Sequence, residues 1–126
     1  MSKWVLDSSA VLAVMFHEKG RDKLKSRFRE SSISTVNLAE VFSKLSELDE
    51  LTDQDVLDFE NLEINIVDFD AEHARKAAEL RPLTKHLGLS LGDRSCLALT
   101  ILKKATAVTA DKNWKDLDFC PIEVIR

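Results

Sequence analysis

At 126 residues and 44% hydrophobic content, the chain is long enough to bury one core and too short to expect two. A charged fraction of 32% with only three Gly and two Pro excludes a linker-rich or disordered chain. The net charge of −4 argues against a protein that grips nucleic acid through bulk positive charge. Carboxylates gathered around cations are the exception, because they lower the total while the bound ions make the local field positive. One domain covering residues 1–126 is the expectation. The opening Met1-Ser2-Lys3-Trp4-Val5-Leu6-Asp7 reaches an acid after three apolar positions, which is no signal-peptide core, and no later run approaches a membrane span. A cytoplasmic protein is therefore expected. Cys96 and Cys120 have no Cys or His at metal-ligand spacing, so they read as reduced, small hydrophobes rather than a zinc site.

Trp4-Val5-Leu6 reads as a short strand ended by Asp7-Ser8-Ser9, and Ala10 to Phe16 as a buried helix entered through a Ser or Asp cap. The basic stretch Lys19–Arg29 reads as a solvated helix with Leu24 and Phe28 turned inward, and it offers a candidate patch for RNA. Ser32-Ile33-Ser34 is a brief strand. Leu38, Val41, Phe42, Leu45 and Leu48 give helical spacing to Thr35–Leu48, and Thr52 or Asp53 caps a further helix through Leu62. Ile64-Asn65-Ile66-Val67 alternates as a strand. Asp70 opens a helix that is disturbed near Pro82 and stopped by Gly88. An apolar helix follows from Cys96 to Leu102, then strands at Ala107–Ala110 and Ile122–Ile125 with a turn of helix around Trp114. Strands alternating with helices predict an α/β fold, a parallel sheet covered on both faces.

Ligand sites in such sheets collect outside the carboxyl ends of the strands, where Asp7 and Asp111 fall, with Asp93 in the first turn of its helix. Capping competes with a functional role at each: Asp7 can cap the first helix, Asp93 can form a capping box with Ser90, and Asp111 can cap the turn at Lys112-Asn113-Trp114. Asp93 also stands at helical spacing from Leu97 and Ile101, at the head of a buried stripe where an uncompensated carboxylate is costly. Glu40 lies off the apolar stripe of its helix and reads as solvated. Only Val36 and Ala39 hint that it is partly enclosed.

Four segments, Val-Leu-Asp-Ser-Ser-Ala near the start, Thr-Val-Asn-Leu-Ala-Glu, Leu-Gly-Asp-Arg-Ser-Cys-Leu-Ala-Leu-Thr and Ala-Val-Thr-Ala-Asp-Lys-Asn-Trp, together resemble a PIN domain. The match is close to the VapC type of toxin nuclease and runs over essentially the whole chain. The resemblance implies a three-layer PIN-like fold, with a parallel five-stranded sheet flanked by helices. It makes Asp7, Glu40, Asp93 and Asp111 the acidic quartet, with Ser9 and Thr109 orienting carboxylates or a metal-bound water. It further implies a divalent-metal-dependent endoribonuclease using Mg²⁺ or Mn²⁺, an RNA substrate, a cognate antitoxin, and a homodimer. On this view Asp7 and Asp93 hold the main ion, and Glu40 and Asp111 position a second ion or the attacking water.

Two rival chemistries fit less well. A Mg-dependent phosphoacceptor domain wants an acidic pair early in the chain, and a haloacid-dehalogenase-like phosphatase wants Asp-x-Asp after the first strand; Asp7-Ser8-Ser9 supplies one acid. A non-catalytic acidic α/β domain acting through a protein partner is the non-enzyme alternative. His17, His73 and His86 are isolated from one another and receive no role, and Trp4 and Trp114 read as core. Arg94, beside Asp93, is expected either to meet a phosphate or to support the cluster.

Overall fold

The computed structural model describes residues 2–126. Five parallel strands, β1 (Trp4–Leu6), β2 (Ser31–Ser34), β3 (Asn65–Val67), β4 (Thr106–Thr109) and β5 (Ile122–Val124), form one sheet in the order β3-β2-β1-β4-β5. The helices are α1 (Ser8–Met15), α2 (Thr35–Leu48), α3 (Asp53–Glu60), α4 (Ala71–Glu79), α5 (Arg81–Thr84) and α6 (Leu91–Lys103). The expected α/β class and five-stranded parallel sheet are both present.

The three layers follow from the alternation of strand side chains. On β1, Leu6 joins the core built with Val11, Val41, Leu45 and Phe59 from α1, α2 and α3. Its neighbour Val5 joins the core of the opposite face, with Leu97 and Leu99 from α6 and the fully buried Trp114. Ala107 and Val108 divide between the two faces in the same way on β4. The chain runs from β1 to β2 and β3 on one side, then returns to β4 on the other. The gap between the carboxyl ends of β1 and β4 is thus the switch point where such sheets place their sites.

Several boundaries differ from the sequence expectation. The basic stretch Lys19–Arg29 is not an α-helix but two 3-10 turns, Arg21–Leu24 and Phe28–Glu30. Gly20 sets this course at φ +98°, and a Cβ there would lie 2.3 Å from the Ile125 carbonyl oxygen, so the chain end after β5 packs where a helical side chain would need room. Three of the stretch's six basic side chains are paired with acids: Arg27 grips Glu123 with both contacts at 2.8 Å and lies over Trp4, Arg29 meets Glu63, and Lys25 meets Asp22. Helix α6 begins five residues earlier than its apolar run, at Leu91, because Ser90 and Asp93 form a capping box. Pro82 falls at the start of α5, where a missing N–H is harmless, and Gly88 closes the following turn in the left-handed conformation. Cys96 is buried, Cys120 half-buried, and both are free thiols. No helix among the described residues is long and apolar enough to cross a membrane.

Candidate active site

Asp7 is the centre of the switch point. Its backbone N–H donates to Val108 O at 3.1 Å, and its side chain is 4% exposed. Both carboxylate oxygens are held. Oδ1 accepts from Ala10 N at 2.9 Å, which is the N-cap of α1, and from Ser9 Oγ at 2.7 Å. Oδ2 accepts from Thr109 Oγ1 at 2.5 Å. The two hydroxyls are themselves fixed by the chain leaving β4: Ala110 N donates to Ser9 Oγ at 2.9 Å, and Asp111 N to Thr109 Oγ1 at 3.0 Å. Each hydroxyl carries one proton. With both directed at Asp7, the 3.2 Å approach of Ser9 Oγ to Thr109 Oγ1 is a contact between acceptors.

Burial pushes the Asp7 carboxyl up to about 6 from an ordinary value of 3.8, against the pull of the hydrogen bonds from Thr109, Ala10 and Ser9, and the charge of Asp93 adds to the rise. Three donors occupy three of the roughly four acceptor positions of the carboxylate, leaving one on Oδ2. A hard cation suits this site. It would bring the positive charge that a buried carboxylate lacks, and the donors around it are carboxylate and hydroxyl oxygens.

The other acids stand where helices begin. Asp93, half-buried at the third position of α6, accepts from Ser90 N at 2.9 Å, while its own N–H donates to Ser90 Oγ at 3.1 Å. Asp111 caps the 3-10 turn Lys112–Trp114 by accepting from Asn113 N at 2.9 Å. The capping role weighed for each aspartate is therefore realised in all three. Among the described residues, the group of three ligand-type side chains that closes to within 4.8 Å is Asp70, Glu72 and His73 at the start of α4, not the quartet. Asp93 and Asp111 are directed instead at backbone N–H groups. The Asp70 group is explained by capping: the His73 N–H donates to Asp70 Oδ1 and holds that carboxyl below its ordinary range. It follows the edge strand β3, two strands from β1 in the sheet order.

Glu40 is half-buried rather than fully solvated. Enclosure comes from Asn37 and Gly92 rather than from Ala39, which is exposed. Asn37 Nδ2 donates to Glu40 Oε1 at 2.9 Å and to Gly92 O at 3.0 Å, and a Cβ on Gly92 would stand 2.2 Å from Glu40 Oε2. The start of α2 is thereby tied to the start of α6, one residue from Asp93. The amide of Asn37 must face this way, since both partners are acceptors, and its Oδ1 is left buried without a donor. Such an orphan costs about 1–3 kcal/mol. Neither residue stood out from the sequence, although two signals were present: Asn37 precedes Glu40 by one helical turn, and Gly92 is a rare glycine inside a helix.

Arg94 departs from its expected place. Its Nη1 donates to Ala77 O at 3.0 Å, joining α6 to α4, and its Nε is buried without a partner. Trp114 is core as expected. Trp4 is half-buried under Arg27.

The PIN domain family profile matches residues 4–119. No curated protein sequence matches. The fold is similar to that of a DNA-bound VapBC from Salmonella typhimurium (TM-score 0.78, 15% identity, all of both chains covered). It is also similar to a toxin-antitoxin complex from Klebsiella pneumoniae (TM-score 0.77, 18% identity, 97% of each chain). A third similar structure is VapBC2 from Rickettsia felis bound to a promoter DNA fragment (TM-score 0.69, 22% identity, 98% of each chain). With the profile spanning nearly the whole sheet and its helices, the chain belongs to the PIN domain family.

Proposed function

We propose that residues 1–126 act as one nuclease domain, a divalent-metal-dependent endoribonuclease that serves as the toxin of a toxin-antitoxin pair. The observation that carries this reading is Asp7: a carboxylate 4% exposed at the switch point, held on both oxygens and pushed up by burial to about 6, with the charge of Asp93 close enough to contribute. Asp7 and Asp93 would hold Mg²⁺ or Mn²⁺, with Glu40 and Asp111 flanking, and the ion would supply Lewis-acid stabilisation of the scissile phosphate and an activated water. The chain's own part is orientation. Ser9 and Thr109 fix the plane of the Asp7 carboxylate, Asn37 fixes Glu40, and the starts of α1, α2 and α6 turn their positive ends toward the same region, which favours a bound phosphate. Against a phosphoacceptor role, Asp7 has one acceptor position left and is too enclosed to receive a phosphoryl group.

The toxin assignment draws on the fold's likeness to chains of VapBC and toxin-antitoxin complexes. Leu83 and Leu87, exposed at 55% and 39%, line one surface cavity with Leu117 and Phe119, which is suited to covering by a partner. The deciding experiment incubates purified protein with total RNA, with EDTA or with Mg²⁺ or Mn²⁺, and maps the ends. Cation-dependent internal cuts bearing 5′-phosphates, lost in Asp7→Asn and Asp93→Asn, are expected. Cleavage that survives EDTA or either substitution refutes the reading.

A further inference from the structure

We propose that Asn37, working against the bare backbone of Gly92, is the positioning residue that fixes Glu40 in this site. The inference rests on the reading of Glu40 as a member of the active site. Glu40 sits on a half-buried helix face with three single bonds free to rotate. Left to itself it would sample solvent, and its position near Asp93 would be one rotamer among several. Two features remove that freedom. From one side, the Asn37 amide donates to Glu40 Oε1 at 2.9 Å while anchoring itself on Gly92 O at 3.0 Å, so the amide is fixed before it fixes the carboxylate. From the other, Gly92 offers no side chain, and the carboxylate fills the space where a Cβ would be: that atom would lie 2.2 Å from Oε2 and 2.5 Å from Cδ.

The atoms a Cβ at Gly92 would meet are the end of the Glu40 side chain, so any larger residue there requires Glu40 to leave this orientation. Gly92 lies within α6, where glycine is otherwise unfavourable relative to alanine, and its φ is not in the left-handed region. Asn37 is 1% exposed and keeps a buried acceptor unpaired in order to point its N–H groups at Glu40 and Gly92. Two locally unfavourable residues converging on one carboxylate are what an orienting device requires.

Double-mutant cycles test it. With metal saturating, Asn37→Ala is expected to lower kcat on RNA by about 10- to 100-fold, with KM changed by less than about 2-fold. Asn37→Asp, which keeps the shape but loses the N–H donors, should do no better. In a Glu40→Ala background the Asn37→Ala change should add less than about 2-fold, because the residue acts through Glu40. An equal loss in both backgrounds would mean a merely structural role and overturn the proposal, as would full kcat in Asn37→Ala. Gly92→Ala supplies a readout that needs no activity: its effect on the melting temperature should be less favourable when Glu40 is present, which it must displace, than in Glu40→Ala, where the space is free. The same change in both backgrounds overturns the clamp. If the wild-type protein cleaves no RNA, the nuclease reading fails by itself, while the melting-temperature cycle still decides whether Asn37 and Gly92 hold Glu40.

Discussion

Replacing Asp7 by Asn should stabilise the metal-free protein at neutral pH. Burial raises this carboxyl from 3.8 to about 6, so holding it ionised in the fold at pH 7.5 costs about 3 kcal/mol. Asn keeps the shape and the cap. Its oxygen can accept from Ala10 N and Ser9 Oγ, while its NH₂ replaces Oδ2 and donates to Thr109 Oγ1. The Thr109 proton must then turn elsewhere, and Ser9 Oγ, 3.2 Å away, is placed to accept it. The second amide N–H has no acceptor among these groups and costs about 1 kcal/mol, so a gain of about 2 kcal/mol should survive.

The pH dependence carries the sign. Between 3.8 and about 6 the folded state binds the Asp7 proton more tightly than the unfolded chain does, so the wild type gains stability from this group as pH falls through that window and loses it as pH rises. The advantage of Asp7→Asn should be greatest above pH 6 and close toward pH 4. Urea unfolding in EDTA, followed by the fluorescence of the buried Trp114, reads this directly. For a slope of about 2 kcal/mol/M, the midpoint should rise by about 1 M at pH 7.5. A midpoint at or below that of the wild type, or an advantage that does not shrink with acid, would refute the account of Asp7 as a charge held at a cost.

Other perturbations follow from the same geometry. Saturating Mg²⁺ or Mn²⁺ at 100 times its dissociation constant should stabilise the wild type by about 2.7 kcal/mol and Asp7→Asn far less, as read by thermal melts with and without EDTA. Thr109→Val removes the 2.5 Å donor to Oδ2, so the Asp7 carboxyl should rise further, and cation affinity measured by titration calorimetry should fall by about tenfold. Ser90→Ala removes the cap of α6 and should cost about 1 kcal/mol in urea unfolding while Asp93 remains in place. Arg94→Lys cannot reproduce the Ala77 contact with the same geometry and should lower stability, but kcat on RNA should stay within about 2-fold, since Arg94 does not reach the carboxylates.

The sequence discloses what local chemistry decides. β1 ending in Asp7, the cap at Ser90, and the strand and turn around Thr109 and Asp111 are set by residues adjacent in the chain, and they are where the periodicity and capping rules put them. What it conceals depends on contacts between distant segments. Leu24 and Phe28 do turn inward, yet Gly20 meeting Ile125 and Arg27 meeting Glu123 bend the intervening chain away from an α-helix. Glu40 looks solvated on a helical wheel because the wheel cannot include Gly92, which arrives from a helix more than fifty positions later. Arg94 looks available to Asp93 because sequence adjacency says nothing of Ala77 on α4.

Capping and catalysis compete as explanations of Asp7, Asp93 and Asp111 only while the sequence stands alone. In the folded chain all three cap, and the same backbone N–H groups that complete a helix start also hold a carboxylate in one orientation before any cation arrives. Alanine scanning would therefore mix two losses, a cap worth about 1 kcal/mol and a ligand. Asn substitutions separate them at Asp7 and Asp111, because Asn caps about as well as Asp but carries no charge. If these aspartates served only as caps, Asp7→Asn and Asp111→Asn would bind cations as well as the wild type. The burial of Asp7 argues otherwise, because a residue needed only as a cap has no reason to be an acid held at about 6, where a neutral Asn would do the same work at lower cost.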